Sequence, residues 1–383
     1  MRNLAVSFST VLVLCLASTA QQTSPLGRHV SARMPVQGAN HELSAQRPAV
    51  PSEVTRNAPV PAASNSWQLL ATLPGAVIHD IAFSSLTVGY AVAEHGQVWK
   101  TTDGGKNWSE VLASDYNDYF YGVSIINSKN VIVSGFYDST AGSYSVIRWT
   151  HDGGKTWSSD IMLTNDTLLR VRFANSKDGI VLGLAGGNAP TVAETTSSGG
   201  TTASAWNSVV ANPDGGWFGQ QFSLLTNLHA RASGINFCTS LNGGAQWSCG
   251  PMIDSVFDGP VFFLNDTVGW VGGGEIYPNV EGWVHGTTNG GKTWSGRTLD
   301  GPWPIRQLLF VDAKTGWAAG GNIYTGVGGI YFTSDGGKTW SVDATTGAEM
   351  DACARRSTKP GYQVWCAGYD SSFNGYIYST HIN

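Results

Sequence analysis

The sequence predicts an all-β fold: a seven-bladed β-propeller of four-stranded antiparallel blades, closed by the N-terminal strand pairing with the last blade. Three observations predict it. Seven tryptophans, at 67, 108, 157, 206, 247, 294 and 340, lie 41 to 49 residues apart. A Gly-Gly turn stands shortly before most of them, and the composition is glycine-rich and charge-poor, with 48 Gly, 15 Trp and 13% charged residues. A period of that length is one four-stranded blade, a unit that buries its apolar faces only by stacking on its neighbours.

The turns are near copies of one another. Thr102-Asp103-Gly104-Gly105-Lys106-Asn107-Trp108-Ser109 is followed by His151-Asp152-Gly153-Gly154-Lys155-Thr156-Trp157-Ser158, and the pattern returns at Thr288 to Ser295 and at Ser334 to Ser341. Leu241-Asn242-Gly243-Gly244-Ala245-Gln246-Trp247 keeps the skeleton, Ser198-Gly199-Gly200 precedes Trp206 in a worn copy, and Trp67 stands without a box. An Asp or Asn at the head accepts backbone N–H groups, the glycines supply positive φ, and the Trp plugs the hairpin. These roles fall to Asp103, Trp108, Asp152, Trp157, Asn242, Trp247, Asn289, Trp294, Asp335 and Trp340. All are read as structural, and no metal or cofactor is expected at them.

Between tryptophans the order is an apolar strand A, a turn, a Gly-aromatic strand B such as Val88-Gly89-Tyr90, a Gly-rich turn, and strand C leading into the box before strand D. The chain ends at Tyr378 to Asn383 as a strand C with no box after it. Trp67 begins the repeats as a lone strand D. The N-terminal strand is therefore expected to complete the seventh blade, which leaves no open sheet edge.

Residues 1–20 read as a signal peptide. Arg2 precedes an apolar run from Leu4 to Leu16 that ends in Ser18-Thr19-Ala20, so a mature start near Gln21 is expected. Residues 21–64 lack any apolar period and read as a disordered leader, with the propeller over 65–383. The expected product is secreted or extracellular, periplasmic in a Gram-negative host, not membrane-spanning and monomeric. A formal net charge of −5 without a basic stripe argues against nucleic acid as a partner.

Four cysteines remain after cleavage, an even number suited to an oxidising compartment. Cys238 and Cys249 flank the fifth box on strands C and D, while Cys353 and Cys366 fall on strands A and B of the last blade. Cys238 with Cys249 and Cys353 with Cys366 are favoured over the two other connectivities, because each pair would face across adjacent strands.

With these motifs in hand, residues 66–383 resemble the Asp-box (BNR) propellers. The closest look is to the photosystem II assembly factor-like group and its bacterial relatives. Trp67-Gln68-Leu69-Leu70, Asp80-Ile81-Ala82-Phe83, Val88-Gly89-Tyr90 and Val98-Trp99-Lys100-Thr101 ahead of the first box read like a first blade of that group. Sialidase, oligoxyloglucan hydrolase and sortilin propellers are more distantly similar. The Arg-Ile-Pro motif of sialidases is not matched, since the equivalent strand holds His79-Asp80-Ile81. Arg172, Arg306 and Arg355 come from different blades, and a sialidase site would need them to converge. The resemblance implies a fold strongly and a function weakly, because one scaffold hosts many unrelated sites.

In a propeller the boxes and A–B turns share one face, and the D–A and B–C loops share the other, around the mouth of the channel. The second face is aromatic and acidic in this sequence. Its candidate ligand-binding residues are Tyr116, Asp118, Tyr119, Trp217 and Trp303 from D–A loops, with Glu275, Tyr277, Tyr369 and Asp370 from B–C loops. Strand A adds Asp80, Arg170, Arg172, Asp258 and Arg306. Aromatic faces beside carboxylates suit sugars, and Tyr and Trp also dominate protein interfaces. The plainer reading is that these rings fill gaps between blades and that channel charges are solvated.

Two functions follow as expectations. The first is a non-enzymatic binding or assembly propeller recognising a glycan or an extracellular protein. The alternative is a glycan-active enzyme, a glycoside hydrolase or lyase using carboxylates of that face, among which Asp118, Asp258, Glu275 and Asp370 are candidates. No motif singles out a catalytic residue.

Overall fold

The computed structural model describes residues 67–383 apart from 114–115, 140–141, 164–166, 185–190, 213–220, 235, 252, 255–257, 276–280, 323–324 and 326. The expected signal peptide and leader lie outside the described residues, as do Trp217 and Tyr277. Among the described residues the chain forms seven four-stranded sheets, each antiparallel and running outward in sequence order, except the last. In that sheet the strand Gln68–Leu73 pairs with Gly375–Ile382, Gln68 opposite Ser379 and Leu73 opposite Gly375. The N-terminal strand therefore completes the seventh blade, and the expected closure is the observed one.

The innermost strands are Ile78–Phe83, Asp118–Ile125, Thr167–Phe173, Ser223–Leu224, Asp258–Phe263, Ile305–Phe310 and Glu349–Ser357, one for each of blades 1 to 7. Buried clusters fill the spaces between successive blades. One joins Ile81 and Phe83 of blade 1 to Trp365 and Ile377 of blade 7, which seals the ring.

The Gly-aromatic pair of strand B has two jobs that the repeat alone does not reveal. Its glycine faces the ring that ends strand A of the same blade: a β-carbon on Gly89 would lie 2.6 Å from Phe83, and one on Gly316 would lie 2.3 Å from Phe310. Its aromatic partner reaches into the next blade. Tyr90, Trp270 and Trp365 bond to the first glycine carbonyl of the following box, at Gly153, Gly336 and Gly104, at 2.9, 2.8 and 2.8 Å. Trp270 also stacks on Phe310 at 3.4 Å, and Trp365 on Phe83 at 3.8 Å. Blades 1, 5 and 7 are thus each stitched to the next blade by a hydrogen bond, and at blades 5 and 7 a stacked pair adds to it.

The boxes close as tight turns. Asp103 Oδ1 accepts the backbone N–H groups of Lys106 and Asn107 at 3.1 and 3.0 Å, and Asp152 and Asp335 do the same in their own boxes. The N–H groups of Asn107 hold the exposed Asp103 carboxyl down at about 2. Trp108, Trp247 and Trp340 donate to the carbonyl of the second glycine, Gly105, Gly244 and Gly337. The residue two before the box head contributes as well: Thr101 Oγ1 accepts the Gly105 N–H at 3.0 Å while donating to Asp103. Both expected disulfides, Cys238–Cys249 and Cys353–Cys366, are formed.

Candidate functional site at the channel mouth

The inner strands carry a shared irregularity. His79 has no partner in the pairing of strands A and B, because Ile78 lies opposite Ala93 and Asp80 opposite Val92. The same one-residue bulge falls at Tyr121, Leu169, Arg306 and Asp351 in blades 2, 3, 6 and 7. A bulge lets two successive residues leave the sheet on related sides and re-aims a side chain. At each of these places the start of strand A thereby offers the mouth of the channel an extra side chain.

Around the mouth those side chains meet. The buried His79 ring stacks on Tyr121 at 4.0 Å and meets Tyr369 edge-on at 5.7 Å. Its Nδ1 lies 3.3 Å from Asp351 and its Nε2 lies 3.5 Å from Glu94. Burial works against a charged ring here, but the carboxylates of Asp351 and Glu94 outweigh it and raise the His79 pKa. Burial, reinforced by Glu94 and Asp351, pushes the Tyr121 hydroxyl well above the usual phenol range.

One residue further in, Asp80 lies 3.1 Å from Arg170 and 2.7 Å from Arg172, and its Oδ2 accepts the Val123 N–H at 3.0 Å. Burial opposes this carboxylate, but the two guanidinium groups hold its pKa below the ordinary range. Arg170 reaches on to the Asp351 carbonyl at 3.4 Å, and Gln221 of blade 4 bonds the backbone of Leu308 in blade 6 at 3.2 and 3.1 Å. Side chains thus cross the channel at this level, tying non-adjacent blades together.

Sequence-predicted candidates fall into three groups. Asp80, Arg170 and Arg172 are brought together, and Tyr369 packs against the same cluster through His79. Arg306 joins its edge by pairing with Glu349 at 2.6 Å. A second group serves the scaffold. Asp118 is buried and paired with Arg148 at 3.1 Å, Trp303 packs against Tyr331 between blades 5 and 6, and both carboxylate oxygens of Asp370 accept bonds within its own hairpin. The third group stands apart: Glu275 is half-buried, with a pKa raised by burial and by Glu281, while Asp258 opens the inner strand of blade 5 and its side chain is not among those described. Arg172, Arg306 and Arg355 do not share a partner, since Arg355 bonds the Val311 carbonyl at 3.1 Å.

Aromatic rings extend from the mouth to the rim. Tyr121 lies against Phe136, and Phe136 against Tyr119. Beyond them His95 stacks on Tyr116 at 4.0 Å, and Tyr116 is 66% exposed, which makes it the outer end of the row.

His79, Glu94, Tyr121, Glu349 and Asp351 were missed by sequence reasoning. The available signal was a break in alternation: His79-Asp80 and Arg306-Gln307 place two polar residues in succession at the head of an otherwise alternating strand.

The family model for photosynthesis system II assembly factor YCF48 matches residues 60–165. No curated protein matches the chain. Among solved structures, the chain is similar to YCF48 from Cyanidioschyzon merolae, at 21% identity and a TM-score of 0.61 over 82% of this chain and 98% of that one. A structure described as YCF48 bound to D1 peptide is similar at 17% identity and a TM-score of 0.61, over 85% of this chain and 97% of that one. The GH74 xyloglucanase from Xanthomonas campestris shares the fold at 14% identity and a TM-score of 0.57, covering 81% of this chain and 54% of that one. The expected likeness to the photosystem II assembly-factor propellers is present in both comparisons.

Proposed function

We propose that this chain is an exported, non-enzymatic binding or assembly propeller that takes a segment of a partner protein at the mouth of its channel. The observation that carries this reading is the state of the charges there. Asp80 is held by two arginines and Glu349 by Arg306, and both carboxylates are buried, so they brace the framework beneath the aromatic row rather than standing free as acid or base. A glycosidase needs one carboxylic acid to give a proton and another carboxylate to act as base or nucleophile. Paired carboxylates suit recognition better. The peptide-bound YCF48 structure supports a protein ligand for this fold, and the two disulfides support an oxidising compartment.

A glycan ligand is the second reading. It is favoured by the exposed Tyr116 ring at the rim and by the similarity to a xyloglucanase.

Three measurements on one purified sample separate these readings. Affinity capture from the host envelope is expected to return a single protein whose binding is lost in Tyr121→Ala. A glycan array is expected to stay blank, and no reducing sugar should be released from oligosaccharides. Turnover of any glycan would overturn the proposal, and array binding without turnover would replace the protein ligand by a sugar.

A further inference from the structure

We infer that the face opposite the channel mouth docks on an anionic phospholipid surface. All nine lysines of the chain lie on that face. Lys106, Lys155, Lys292 and Lys338 occupy one position of the boxes, and each is exposed. Lys129, Lys177, Lys314 and Lys359 occupy the A–B turns, again exposed. Lys100 stands just before the first box and bonds the Gly153 carbonyl. Boxes and A–B turns are held together by backbone bonds, Gly104 to Thr87, Gly153 to Lys129, Gly199 to Lys177 and Gly336 to Lys314, at 2.8–2.9 Å. The lysines therefore share one surface.

Six aspartates share these turns, at 103, 152, 178, 266, 312 and 335. The carboxylates of Asp103, Asp152, Asp312 and Asp335 are directed back to backbone N–H groups of their own turns. Ammonium groups on long stems reach outward past them. On the opposite face the buried acids meet arginine or histidine instead, Asp118 with Arg148, Glu349 with Arg306 and Asp351 with His79, so lysine is confined to one face of the molecule.

Two features favour lipid over a soluble polyanion. Leu241 is 64% exposed and Leu86 44% exposed, and both sit in turns of the lysine face. Leu241 takes the box position filled by Thr, His or Ser in the four near-copies, in the one blade whose turns carry no lysine. Apolar tips among cations suit an interface with headgroups and acyl chains. The N-terminal strand also enters from this face, since Gln68 pairs with Ser379 near the end of the last strand C. Docked in this way, the propeller turns its aromatic mouth away from the bilayer.

Co-sedimentation of the full exported chain with vesicles tests this. Binding to phosphatidylglycerol vesicles is expected, with little to phosphatidylcholine, and it should weaken as sodium chloride rises. Near an anionic surface each lysine changes the partition about fivefold. The triple variant Lys106→Glu, Lys155→Glu, Lys338→Glu should therefore bind at least about a hundredfold more weakly. Its unfolding midpoint should match the parent, because these side chains are exposed. Leu241→Ser should remove the binding that survives high salt. Equal binding to both vesicle types, no binding to either, or capture by heparin or RNA but not by vesicles would each overturn the inference.

Discussion

The indole N–H of Trp67 donates to Asp343 Oδ2 at 2.7 Å, joining the first strand of the folded chain to the outer strand of blade 6. The same oxygen accepts the Trp317 indole at 3.1 Å. One carboxylate thus ties the closing strand to the neighbouring blade as well as to its own sheet. Asp343→Ala leaves two indole donors without this acceptor and is expected to cost about 1–3 kcal/mol. Limited proteolysis should show earlier cleavage around residues 67–73 than in the parent. In the double variant with Trp67→Phe, the two losses should fall short of additive.

Asp80 is the anion on which Arg170 and Arg172 depend. Asp80→Asn removes the carboxylate paired with the buried Arg170 and leaves Asp351 as a weaker counter-charge, so a loss of about 3–5 kcal/mol is expected in chemical unfolding. The pH dependence carries the sign. Because its folded pKa is lowered, Asp80 contributes stability that is complete above about pH 4, its unfolded value, and is lost as pH falls through the folded value. Acid unfolding of Asp80→Asn should therefore be shallower than that of the parent.

His79 acts in the opposite direction. Burial lowers its pKa but Asp351 and Glu94 outweigh that and raise it, while Tyr121 and Tyr369 pack against the ring and Arg170 bonds the Asp351 carbonyl. Its contribution is present below about pH 6.5 and is lost as pH rises through the folded value. The thermal midpoint should decline across that window in the parent and stay flatter in His79→Gln. An imidazole proton signal for His79 titrating below 6.5 would contradict this assignment.

Gly316 is required by Phe310, whose ring occupies the place of a β-carbon. Gly316→Ala is expected to cost about 1–3 kcal/mol by overpacking, and Phe310→Leu in the same chain should recover part of it. Gly347→Ala, where nothing lies within 4 Å, is the matched control and should change little.

The period of the tryptophans was enough to count the blades, because the box is a local structure, and the unmatched strands at the two ends of the repeat placed the closing strand. Its Asp, glycines and Trp make their bonds within a few residues, so their spacing records the fold directly. The disulfides were legible for a related reason: each joins adjacent strands of one blade, within 11 or 13 residues. The mouth was not legible in the same way. Asp80 meets arginines 90 and 92 residues on, and His79 meets Asp351 272 residues on.

What the sequence by itself determined was thus the ring: its number of sheets and its cross-links, which are properties of short spacings, and its closure, which follows from an unmatched strand at each end of the repeat. Only the tertiary structure decided which charges face one another inside it. A bulge in the inner strands shifts the side-chain phase by one residue, and pairing across the channel joins blades that are not neighbours in the chain. Period-two alternation carries neither kind of information.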